Sequence, residues 1–84
     1  MDKIEKVTIS KSEYHALNKI KGLCEDAHYM VMLAEKDGHG RYILKGESET
    51  FDNLASDLSD EIYYELSPKS RISALRRVYN KVAP

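Results

Sequence analysis

Residues 27–46, AHYMVMLAEKDGHGRYILKG, hold two apolar runs around one glycine-rich turn. How the first run is read decides the fold. Tyr29 to Ala34 is apolar on both sides of any extended chain, as expected of a strand buried on both faces. Lys36-Asp-Gly-His-Gly40 supplies the positive backbone angles of a tight connection. Arg41 to Gly46 reads as a return strand. The stretch therefore predicts a β-hairpin, 29–35 with 41–47. A strand apolar on both faces belongs mid-sheet, which places 29–35 between the N-terminal strand and the return strand. The competing reading carries the preceding helix on to Lys36.

Upstream, Lys3 to Ile9 alternates with a period of two and predicts a strand. Ser10 followed by Glu13 is a capping box, so a helix should begin near Lys11. Tyr14, Leu17, Ile20, Cys24 and Ala27 fall on one face of that helix. Gly22 lies off the stripe and would cost about 1 kcal/mol in a helix interior. Downstream, Ser48 or Thr50 can cap a second helix. Its apolar stripe is Phe51, Leu54, Leu58, Ile62 and Leu66, with Asp52, Asp57, Asp60 and Glu61 away from the centre. Ser67-Pro68 restarts the chain, with serine as cap and proline at the first helical position. Ile72, Leu75, Val78, Tyr79 and Val82 form the last stripe. The order is β-α-β-β-α-α. It predicts a single small α+β domain spanning 1–84, with a three-stranded antiparallel-type sheet and helices packed on one face.

The 84 residues suffice for one domain with a thin margin of buried surface, a shortage that dimerisation commonly relieves. The net charge of −1 demands no polyanionic or polycationic partner. One cysteine permits no internal disulfide and suits a reducing compartment. The longest apolar run is too short to span a bilayer, and MDKIEKVTIS has no apolar signal-peptide core. The expectation is a cytoplasmic protein without a membrane partner.

Charge switches sharply between the last two helices. Residues 46–66 carry seven acids and no base, whereas 67–84 carry five bases and no acidic side chain. Three explanations compete. The two helices can form an αα-hairpin with complementary flanks. The acidic helix can face the basic helix of a second copy. Or Lys69, Arg71, Arg76, Arg77 and Lys81 can follow a phosphate backbone.

Cys24 and His28, with Asp26 or Glu25, have side chains that zinc accepts, but C-x3-H alone does not bring four ligands together. No cofactor or metal is expected. Paired acids such as Asp60-Glu61 lack an evident cleft, and a chain this short has little room for a pocket of several hundred Å3. A catalytic role is not expected.

Val7-Thr-Ile-Ser-Lys-Ser-Glu-Tyr14 resembles the starts of small bacterial antitoxins, in which a strand leads into a capped helix. The likeness covers about a tenth of the chain. The hairpin expected at 29–47 has no place in a ribbon-helix-helix protein, so no family is assigned. Short, mixed-charge α+β domains of this kind suit accessory proteins of bacteria and mobile elements.

The functional expectation is a non-catalytic protein-interaction or regulatory module, a homodimer, acting through Asp57, Asp60, Glu61 and Tyr64. The alternative is an antitoxin-like, nucleic-acid-binding regulator using the basic last helix.

Overall fold

The capping box at Ser10 fixes where the first strand ends. Ser10 Oγ accepts from the Glu13 amide at 3.2 Å, and the Glu13 carboxylate accepts from the Ser10 amide at 2.8 Å. Strand β1 (Ile4–Ile9) thus passes directly into helix α1 (Lys11–Ile20), as the sequence predicts. The computed structural model describes residues 4–83, so the expected strand start at Lys3 lies outside the described residues.

Helix α1 stops earlier than its apolar stripe suggests. The amides of Leu23 and Cys24 both donate to the Ile20 carbonyl, closing a turn over Gly22. Gly22 therefore occupies a turn, and the cost expected of it inside a helix does not arise.

The decisive run then forms neither the expected strand nor a continuation of α1. It is a separate helix, α2 (Glu25–Leu33). Only the next two residues become strand β2 (Glu35–Lys36), which pairs antiparallel with β3 (Tyr42–Glu47). The hairpin exists, but its first arm is two residues long. The physical reason lies in the side chains. Met, Leu and Ala are good helix formers, Val31 alone in the run is β-branched, and Glu25 and Asp26 favour the helix N-terminus.

The sheet order is β1-β3-β2, so the return strand, not residues 29–35, takes the middle position. β3 pairs with β1 along its whole length, from Ile4 opposite Glu47 to Ile9 opposite Tyr42. Between β2 and β3, Asp37 Oδ1 accepts from the amides of His39 and Arg41 at 2.7 and 3.1 Å. Gly38 and Gly40 hold φ of 86° and 80°, which is the turn chemistry the sequence implies.

Strand alternation gives the sheet one buried face, and the helices cover it. Ile9 and Leu44 are fully buried there, with Val7 and Tyr42 packed against the core. Tyr14 of α1 stacks on Tyr42, with ring centroids 3.7 Å apart and planes within 6°. Gly46 admits the end of Met30, because a Cβ there would lie 2.8 Å from Met30 Cε. The three-stranded antiparallel sheet with helices on one face stands as the sequence predicts, with α2 added before the hairpin.

Helices α3 (Ser48–Tyr63) and α4 (Lys69–Val82) form an αα-hairpin through Leu54, Leu58, Leu75 and Val78, all fully buried. Neither expected serine or threonine cap is used. Glu47 precedes α3 without a side-chain cap, and Pro68 precedes α4. Ser67 instead donates its hydroxyl to Glu61 Oε2 at 3.1 Å.

No described helix is long and apolar enough to cross a membrane.

Candidate functional site

The C-terminal end of α3 explains where the acidic residues and tyrosines go. The helix closes in a Schellman motif: Leu66 N donates to Glu61 O, and Glu65 N to Ile62 O. Glu65 takes the left-handed conformation, with φ of 51°. That turn swings the chain off the helix axis. Leu66, expected on the core stripe, is 61% exposed as a result. Tyr63 and Tyr64 are 78% and 64% exposed and meet edge to face, with centroids 4.9 Å apart.

The four residues expected to form one binding surface divide. Asp60 and Tyr64 are exposed and Asp57 is half-buried. Glu61 is only 3% exposed and spends its carboxylate on Ser67, so it supports the helix end rather than facing a partner. Tyr63 and Leu66 stand beside them instead. The doublet Tyr63-Tyr64 was visible in the sequence; the outward turn at Glu65 was not.

Acidic groups converge from two elements here. The Asp57 carboxyl is held above the usual carboxylate range, first by burial and then by the neighbouring Asp26 carboxyl of α2. Cys24, half-buried at the start of α2, lies among them. Burial, then the carboxylates of Asp57, Glu61, Asp26 and Asp60, push its thiol up to about 11. A thiol so placed is a weak nucleophile at neutral pH. Native Cys24 should react with iodoacetamide about 100-fold more slowly than the urea-unfolded chain at the same pH. Equal rates would remove the acidic surroundings from the picture. His28 is exposed one turn along α2, and no group of three His, Cys, Asp or Glu side chains placed to hold a metal ion is found among the described residues.

A groove of 520 Å3 runs between α3 and α4, lined by Ser59, Ile62, Tyr63, Glu65, Arg76, Tyr79 and Asn80. A second groove, of 610 Å3, lies where β1 meets the start of α3 and the end of α4. Clefts of several hundred Å3 therefore do exist on this small chain, as open surface grooves.

The basic residues also divide. Lys69 and Arg76 are exposed and Arg71 is half-buried. Arg77 Nε and Lys81 Nζ instead bind the buried Glu13 carboxylate at 3.2 and 2.6 Å. Sequence reading assigned Glu13 its capping role and missed this second one, because its cationic partners are 64 and 68 residues away. Among the described residues, no ion pair joins α3 to α4; the hairpin is held by its apolar seam.

Fold and surface together define a small α+β domain with an acidic, tyrosine-bearing helix end. No family model matches this chain, and no curated protein or solved structure matches it either.

Proposed function

We propose that this protein is a non-catalytic, cytoplasmic interaction module that docks a basic, partly apolar protein surface on the end of α3. The observation that carries this reading is the cluster Tyr63, Tyr64 and Leu66. These three large side chains stand mostly in solvent within four residues, beside Asp60 and half-buried Asp57. Exposed tyrosines next to acids suit a protein interface, because each ring supplies apolar area and one polar tip at low entropic cost.

Tyr64→Ala with Asp60→Lys tests it. The pair should weaken capture of a protein partner from lysate of the source organism about tenfold or more, with nuclease present throughout. Helical content should not change, since both side chains are exposed. Unchanged capture would sink the reading.

The nucleic-acid alternative rests on three cations rather than five, since Arg77 and Lys81 are committed to Glu13. It predicts binding that is lost on nuclease treatment, weakens with salt and drops on Arg76→Glu. Arg77→Glu is a poor probe, because it would set a second acid against buried Glu13.

A further inference from the structure

Helix α2 has the opposite problem from α3: both of its sides are apolar. Ala27, Met30 and Val31 face the core. On the other side Tyr29 and Met32 are 53% and 68% exposed, and Leu33 is exposed as well. A groove of 330 Å3 continues this surface, bounded by Tyr29, Leu33, Ile4, Lys45, Gly46, Glu47 and Thr50. A contiguous apolar surface of this kind on a small domain marks an interaction site.

We propose that a second copy of this chain covers it, the two α2 helices packing antiparallel about a two-fold axis. The reasons are the pattern of the stripe and its charges. Glu25, Tyr29 and Met32 share the outward face of α2, an acid at its start and an apolar pair beyond it, and the exposed cation Lys36 follows in β2 past its C-terminal end. An antiparallel two-fold pairing brings the acidic start of each helix to the cationic end of the other, as a self-complementary interface requires. Antiparallel pairing then sets Tyr29 against the partner's Met32, a favourable sulfur–aromatic contact. It also sets exposed Glu25 against the partner's Lys36, twice per dimer. Antiparallel helix dipoles favour the same arrangement.

A standard interface covers about 800 Å2 per partner, roughly one-seventh of the 5505 Å2 that this chain exposes. Exposed Tyr29, Met32 and Leu33, with Ile4 beside the groove, supply the apolar centre of such an interface. The apolar centre of the dimer face, Tyr29, Met32 and Leu33, shares no residue with the cluster Tyr63, Tyr64 and Leu66, so either proposal can fail alone.

Sedimentation equilibrium and disulfide trapping test it. The wild-type chain should sediment as a dimer. Met32→Glu should weaken association at least about 30-fold while keeping its helical circular dichroism. Glu25→Lys alone should weaken it about tenfold, and adding Lys36→Glu should restore it. In a Cys24→Ser background, a mixture of Tyr29→Cys and Met32→Cys chains should cross-link to each other more than to themselves. A wild-type monomer at every concentration overturns the proposal. So does a dimer that survives Met32→Glu, a charge reversal that does not rescue, or trapping without preference for the mixed pair.

Discussion

Replacing Arg77 and Lys81 together by methionine should lower the unfolding free energy by about 3–5 kcal/mol. For 84 residues the total is on the order of 4–13 kcal/mol, so the loss would take a large share of it. Glu13 is almost fully buried at the start of α1, and these two cations of α4 are its charge partners. Removing both leaves a buried carboxylate whose one remaining hydrogen-bond donor among the described residues is the Ser10 amide. The change should appear in urea unfolding as a lower midpoint at constant slope. Adding Glu13→Met to the double variant should restore all but about 1 kcal/mol, the value of the lost cap. A double variant within 1 kcal/mol of wild type would show that the triad does not hold α1 to α4.

The pH response separates this from simple loss of packing. Burial alone would raise the Glu13 carboxyl. Hydrogen bonds from Lys81, the Ser10 amide and Arg77 outweigh it and hold the group below the ordinary carboxylate range. A carboxyl lowered by folding contributes stability above its unfolded value of about 4.3 and loses it as pH falls through the folded value. Wild type should therefore weaken on acidification through that window. In the double variant burial dominates, the shift reverses, and Glu13 should favour the folded state increasingly as pH falls.

Where a structural cause lies within a few residues, the sequence displays it. Ser10 and Glu13 mark the start of α1, Asp37 to Gly40 mark the turn, and the stripe from Ile72 to Val82 marks α4. The stretch YMVMLA misleads because periodicity is silent when every position is apolar. Its helix-forming composition was the available signal, and it outweighs the pattern. Glu61 misleads for the opposite reason. Within an acidic run it reads as solvated, yet the turn at Glu65 brings Ser67 back to satisfy it. Of the candidate surface, Asp60 and Tyr64 were legible, whereas the exposure of Tyr63 and Leu66 depends on a left-handed residue that no side-chain pattern announces.

That dependence gives the second large effect. Leu58 and Leu66 fall on one apolar stripe by spacing, yet the Schellman turn puts one in the core and the other in solvent. Leu58→Ala should cost about 2–5 kcal/mol, because its side chain is fully enclosed in the α3–α4 seam and a cavity would remain. Leu66→Ala should cost no more than about 0.5 kcal/mol. If helix α3 instead continued straight through Leu66, both substitutions would be costly and Tyr63 and Tyr64 would lose their common exposure. Urea midpoints for the two variants, measured side by side, decide this. The comparison bears on function as well as fold. Leu66→Ala leaves the fold intact while trimming the proposed docking surface, so loss of partner binding in that variant would reflect the surface itself. Equal destabilisation by the two alanines would withdraw both the outward turn and the surface built on it.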